Sequence, residues 1–378
     1  CNPRLDVSMR TLLGRLRPVD MLPIIFLLTV LGVSASSSQP LRFDGETTGA
    51  WAIFTFIWVL IVAIPSFVRF DRTFWSAHYR NLPGHALLII LAVVLLFTQS
   101  LGDMLDPIAF GIVALIGVLV YGVGRNRGQF SAREFLYRWS PLILSFFMYE
   151  NLRWFVSSLN PHVLDGFLAE LDLKLFGVHL SLVTERFQTP WLSEWFSFHY
   201  AAYILYPLVT GCLFYYQERN REFEDFILAF CLCMYLGFLG YLAVPAVGPI
   251  SGLLDQYSTA TVPGMSLTDF RHTVVEKYRY VRDAFPSLHT AISLLCVLML
   301  RRPYPKLFLV GIFFEVNLLI STVYLRMHYT VDLVAGAALA VFAWWLAPRI
   351  NRATGIPRGD AGALNASRQT QAGGRAQA

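Results

Sequence analysis

The feature that most restricts this chain is a succession of long apolar runs. A stretch of about 18 or more mostly apolar residues is long enough to cross a bilayer as a helix. Ten candidate spans are read from the sequence, over residues 20–38, 49–68, 84–102, 107–124, 140–159, 192–216, 226–247, 287–301, 306–323 and 329–348. Lipid offers the backbone no hydrogen-bond partner, so each run has to satisfy its own peptide groups as a helix. The expected fold class is therefore all-α, a polytopic helical membrane protein of about ten spans. Composition agrees: 56% of residues are hydrophobic and 15% are charged, against about 25% charged in soluble domains.

The basic residues give the orientation. With a cytoplasmic N-terminus and alternating spans, 21 of the 30 Lys and Arg residues fall on the cytoplasmic side, as the positive-inside rule requires. The exceptions are Arg42, Arg153, Lys174, Arg186, Arg271, Lys277, Arg279, Arg282 and Arg326. Both termini are thus expected in the cytoplasm. The short Arg-rich loops and compact chain point to a bacterial plasma membrane. The net charge of +5 is distributed in small clusters between apolar runs, so nucleic acid is not an expected partner. Two outer segments are long, 160–191 and 248–286. In the first, Phe167, Leu168, Leu171, Leu175 and Phe176 recur at helical spacing, which predicts a helix lying on the outer interface. Residues 349–378 are rich in Gly, Ala, Arg and Gln and are expected to form a disordered cytoplasmic tail. Cys212, Cys231, Cys233 and Cys296 lie inside apolar runs and read as small hydrophobes.

Two segments carry chemistry, DAFPSLHTAISLL and STVYLRMHYTVDLVAG. They place His289, His328 and Asp332 at the outer ends of the eighth and tenth spans, on one membrane face. Ionisable groups at such positions are costly and tend to be functional. His328 and Asp332 are four apart in a predicted helix and would share one side of it. A carboxylate bonded to one ring nitrogen fixes the tautomer and leaves the other nitrogen free to attack. Ser287 follows Pro286 where an N-cap belongs, and the free N–H groups of that helix start suit a phosphate. Arg282 and Arg326 are candidates to neutralise phosphate oxygens, with Arg153 and Tyr324 as further substrate-binding candidates. Glu150 and His199 are polar residues inside core spans and are candidate supporting groups. His328, Asp332 and His289 also have the donor types of a metal site, but no third strong ligand stands at metal-like spacing. Neither metal nor cofactor is expected.

At these residues the chain resembles a family. PSLH followed by a distal S-x6-H-x3-D, here Ser287–His289 and Ser321–His328–Asp332, is the pattern of the type-2 phosphatidic acid phosphatase superfamily. The form TVYLRMHYTVDLVAG is similar to its branch containing inositol phosphorylceramide synthase. The resemblance covers roughly residues 140–348, a six-span catalytic core, and leaves residues 1–139 as a four-span extension. It implies that His328 attacks phosphorus and forms a phosphohistidine, that Asp332 orients His328, and that His289 protonates the leaving group and then activates water or an alcohol. It also implies a lipid phosphate or phospholipid substrate and an alcohol acceptor such as inositol. Two departures separate the chain from the phosphatases. Their upstream Lys-x6-Arg-Pro has its nearest match in Arg10 and Arg17-Pro18, on the cytoplasmic side, and Thr322 stands where they carry Arg. The rival reading is a lipid transporter or lipid-binding membrane protein without catalysis. The catalytic reading requires two helix starts to converge so that one imidazole, backed by a carboxylate, faces another across a gap wide enough for phosphorus.

Overall fold

The structure is a computed structural model that describes residues 17–36, 132–217, 219–269, 272 and 282–354. The spans expected over 49–68, 84–102 and 107–124, and most of the expected tail, lie outside the described residues. Among the described residues the elements are helical: α1 (Pro18–Ser36), α2 (Ala132–Leu159), α3 (Asp165–Phe176), α4 (Leu180–Glu185), α5 (Pro190–Ala202), α6 (Leu205–Tyr216), α7 (Asn220–Ala243), the one-turn α8 (Pro249–Gly252), α9 (Leu288–Leu300), α10 (Pro305–Tyr324) and α11 (Thr330–Ala353). Extended pairing among them is limited to one isolated bridge between Ala246 and Asp283. The protein is an integral membrane protein of helical class. Helices α7, α10 and α11 are long and apolar enough to cross a bilayer, with mean hydropathies of 2.2, 1.9 and 1.7, and α9 is a shorter apolar helix.

The run read as one span over 192–216 is two helices, α5 and α6, separated at Tyr203–Ile204. Pro207 supplies the reason. It has no N–H to offer the carbonyl of Tyr203 four residues back, and its ring crowds that carbonyl. The Tyr203 oxygen instead accepts from the Tyr206 amide at 3.1 Å.

Helix α7 is the axis of the bundle and packs against α11, α2, α9, α1 and α6. Phe223, Phe226, Phe230 and Phe238 line it and are fully buried. In lipid, such contacts stabilise through dispersion and close packing rather than water exclusion. The start of α11 approaches the start of α9 closely. A Cβ on Gly336 would run into the backbone oxygen of Ser287, so glycine sets that spacing.

At the end of the bundle where α9 and α11 begin, the segments 160–191, 244–269 and 282–287 form a cap with a small core of its own. Leu168, Ala246, Leu253, Tyr257, Ala284, Tyr329 and Val331 make it. The interfacial helix expected in 160–191 is α3. Of its five apolar markers Leu168 is fully buried, whereas Phe167, Leu175 and Phe176 are exposed.

Candidate active site

The site forms where the turn before α11 meets the turn before α9. Leu325 to His328 leave α10 in a tight turn. The Thr322 carbonyl accepts from the amides of Met327 (2.9 Å) and His328 (3.2 Å). Arg326 sits in the left-handed region at φ 63°, which few residues other than glycine adopt. Its backbone oxygen accepts from the Ile250 amide at 2.8 Å, tying the turn to α8. The partner loop is shaped at Gly248, whose φ of 104° excludes a side chain. A Cβ there would also strike the Met327 carbonyl.

His328 is 4% exposed. It lies outside α11, contrary to the expectation of a shared helical face. Tyr329 is the extended N-cap and the helix starts at Thr330. Asp332 still reaches His328 because it occupies the third helical position and folds back over the N-cap. Its Oδ2 accepts from the Tyr329 amide at 2.8 Å and stands 3.5 Å from His328 Nδ1. A nearer partner of Nδ1 is the Ala284 carbonyl, at 2.9 Å. A carbonyl can only accept, so Nδ1 carries the proton and Nε2 keeps its lone pair. Asp332, the expected orienting group, is thus the more distant partner of Nδ1, and the shorter bond is to a backbone oxygen that no side-chain motif reveals.

Nε2 of His328 points at His289, whose Nδ1 is 3.2 Å away. The gap required for phosphorus is closed: the two imidazoles are hydrogen-bonded to each other. With Nε2 as acceptor, His289 Nδ1 is the donor. At this separation the rings leave no room for a phosphorus atom between them, which would need a near-attack contact of about 3 Å on one side and a hydrogen bond on the other. His289 is packed on Tyr200 and Tyr203, with ring centroids 4.4 and 4.2 Å away. Tyr203 stands at the α5–α6 break and Tyr200 lies just before it in α5.

Ser287 is buried and caps α9 as expected, its Oγ accepting from the Thr290 amide at 3.3 Å. Its own amide donates to the Asp332 carbonyl at 3.1 Å, which joins the two helix starts directly. The arginines have different partners from those expected. Arg282 donates to the carbonyls of Asn160 and Pro161 at 3.1 and 2.9 Å. Arg326 is 1% exposed. Its guanidinium donates to the Thr259 carbonyl (2.7 Å), Glu185 (2.9 Å) and Gln188 (3.2 Å) and lies over the Tyr257 ring. That arrangement binds the cap together. Tyr324 faces α5, with its hydroxyl 3.1 Å from Ser193 Oγ and its ring on Phe196. His199 is packed among Trp195, Phe198 and Phe314, and its Nδ1 is 2.8 Å from the Trp195 carbonyl. The side chains of Glu150 and Arg153 lie outside the described residues. Arg17, part of the nearest match to the phosphatase motif, is paired with Asp20 at 2.8 Å.

Two groups beside the imidazoles escaped the sequence reading. Asp283 accepts a 2.5 Å hydrogen bond from the Tyr149 hydroxyl. Burial pushes its carboxyl above the usual range, while the Tyr149 bond and the nearby His328 act in the opposite direction. Its position in DAFPSLHT, one residue before Ala284, was the available signal. The second group is the pair of α3 carboxylates, Asp165 and Asp172, which bond to Tyr329 and Val331, just after His328.

Residues 167–346 match the PAP2 superfamily. Both histidines, Asp332 and the α3 helix fall within or at the edge of that span. The chain is 28% identical over 196 residues to inositol phosphorylceramide synthase of Candida albicans, covering 48% of this chain and 41% of that protein. It is 24% identical over 212 residues to phosphoinositol dihydroceramide synthase of Bacteroides thetaiotaomicron, covering 49% of this chain and 67% of that protein. The chain thus spans less than half the length of the fungal relative and about two thirds of the bacterial one. No solved structure matches it.

Proposed function

We propose that this protein is a membrane lipid phosphotransferase or phosphatase that works through a phosphohistidine, and that it transfers phosphoinositol or a similar head group to a lipid alcohol. The observation that carries this reading is the state of His328. Its Nδ1–H is fixed on the Ala284 carbonyl and its Nε2 lone pair faces a second imidazole. An imidazole so fixed is a nucleophile with a general acid–base beside it.

In the first half-reaction the Nε2 lone pair of His328 attacks phosphorus. The bond from phosphorus to the leaving oxygen breaks, and His289 gives that oxygen a proton. In the second, His289 takes the proton of an incoming hydroxyl, whose oxygen attacks phosphorus and releases His328. Water as acceptor gives hydrolysis; an alcohol gives transfer. Asp332, 3.5 Å from Nδ1, stabilises the positive charge that builds on His328 during attack. The match to the PAP2 superfamily supports phosphoryl chemistry, and the two synthases support the choice of head group.

The extracytoplasmic side of a bacterial plasma membrane is the proposed location. The basic residues at the opposite end of the bundle, including Arg219, Arg221, Arg301, Arg302, Arg349 and Arg352, support that orientation. Residues 140–348 are proposed as the catalytic core and 1–139 as an extension. The test is a product assay by mass spectrometry on purified protein, with a panel of labelled phospholipid donors and ceramide or water as acceptor. Head-group transfer or release by the wild type, lost in His328→Ala, is the expected outcome. Equal turnover by both proteins would overturn the proposal.

A further inference from the structure

Helix α3 is amphipathic in an unusual sense. Its buried residues are Asp165, Leu168 and Asp172, at spacings of three and four that place them on one face. That face is turned to the catalytic turn. Leu168 packs in the cap core with Ala284, Tyr329 and Val331. Asp165 accepts from the amides of Val247 (2.9 Å) and Gly248 (2.7 Å) and from the Tyr329 hydroxyl (3.1 Å). Asp172 accepts from the Val331 amide at 2.9 Å and the Thr330 hydroxyl at 3.3 Å. Neither carboxylate touches His328 or His289. The exposed side of the helix carries a solvated Lys174–Glu170 pair and large apolar side chains.

A buried carboxylate is costly unless its oxygens are bonded. Here the bonds are spent on the residues around His328. Tyr329 follows His328 directly, and Thr330 and Val331 separate it from Asp332. The first amides of a helix have no partner within it, and Asp172 supplies one for Val331. If Asp172 is removed, the start of α11 loses an anchor that no residue of α11 replaces, and His328 loses the fixed frame on which its Ala284 bond depends. Burial pushes the Asp172 carboxyl up, and the Val331 amide opposes that rise. His179 Nδ1 lies 3.9 Å from Asp172 Oδ2.

We infer that Asp172 is a positioning residue for the phosphotransfer reaction, acting from the interfacial helix through Val331 and Thr330 to hold the turn that presents His328. This rests on the catalytic reading of His328 given above. The part that acts is a helix remote in sequence from both histidine motifs, and its effect is on geometry rather than on substrate contact.

The experiment compares full-length wild type with Asp172→Ala, Asp172→Asn and Lys174→Ala in detergent–lipid micelles. Two readouts are taken: steady-state kinetics on the lipid donor, and the rate at which a histidine-acylating reagent modifies the His328 peptide, followed by mass spectrometry. A displaced reacting group costs about a hundredfold in rate. Asp172→Ala is therefore expected to lower kcat by about tenfold to a hundredfold with KM within about twofold, and to speed acylation of His328 severalfold. Asp172→Asn keeps an oxygen for the Val331 amide and is expected to recover most of the kcat. Lys174→Ala, on the exposed face, is expected to match wild type in both readouts. Wild-type kcat and wild-type acylation in Asp172→Ala would overturn the inference. So would a loss in Asp172→Ala that Asn does not relieve. Absence of turnover in wild type would instead refute the catalytic reading, and the acylation rates would still decide whether Asp172 holds His328.

Discussion

The helical bundle and its cap are held together by different physics. In the bundle, α7 is encased by aromatic and aliphatic side chains, and Phe226, Phe230, Leu295 and Ala343 are fully buried. In the cap, carboxylates do the corresponding work. Asp165 and Asp172 anchor the loops around His328, Glu185 receives Arg326, and Glu194 accepts the amides of Met265, Leu267 and Thr268 at 2.8, 3.1 and 2.9 Å. Packing in the bundle is diffuse, since each contact is small and many share the load, so a lost side chain there costs overall stability more than any one directed geometry. Hydrogen bonds in the cap are few and directional, so single changes there disturb geometry more than overall stability. The proposed reacting groups stand on the boundary, with His289 on a bundle helix and His328 on the turn that leads into α11.

Several measurements break or sharpen that contrast. The largest effect is expected at the boundary. His328→Ala removes the proposed nucleophile and should lower turnover by about 10³-fold or more, with a thermal midpoint near that of wild type. Next comes the bundle. Phe226→Ala leaves a cavity against Phe214 and Phe230 and should cost about 3–5 kcal/mol, read as a lower thermal midpoint of the whole protein. In the cap, Asp165→Ala strands the amides of Val247 and Gly248 and should cost about 1–3 kcal/mol. Its signature is faster amide exchange confined to residues 244–252 and 326–331. Exchange that rises equally along α7 would erase the distinction between the regions.

The smallest effect concerns pH. Burial holds the Asp283 carboxyl above its ordinary value of 3.8. The folded protein therefore keeps that proton to a higher pH than the unfolded chain does. Asp283 contributes stability that is full below 3.8 and falls as pH rises from there through the folded value. Asp283→Asn is always neutral and can still accept from Tyr149. It should flatten the decline in thermal midpoint over that interval. An unchanged slope would mean that Asp283 does not titrate differently on folding.

The same contrast explains what the sequence disclosed. Apolar runs report the bundle because every residue of a span is constrained by lipid, and α7, α9, α10 and α11 fall close to the expected ranges. The pairing of His289 with His328 followed from topology, since two outer helix ends on one face have few places to go. The break at Tyr203–Ile204 was also written in the chain, at Pro207, but hydropathy averages over a single proline. The cap was far less legible. Arg326 stands 141 residues from Glu185, and Asp172 stands 159 from Val331. No local spacing predicts such partners, so Arg282 and Arg326 read as phosphate ligands on proximity to the histidines alone. Ala284 was invisible for a simpler reason: the atom that matters is its backbone oxygen.

The central claim is that Nε2 of His328 forms a bond to phosphorus. The most direct test is to quench purified protein during turnover of a phospholipid donor, digest at alkaline pH, and sequence the phosphorylated peptide by mass spectrometry. The expected result is an acid-labile adduct on His328, carrying the head group or phosphate, that is present in wild type, forms more slowly in His289→Ala and is absent in His328→Ala. Sustained turnover with no adduct at His328, or an adduct on another residue, would contradict it.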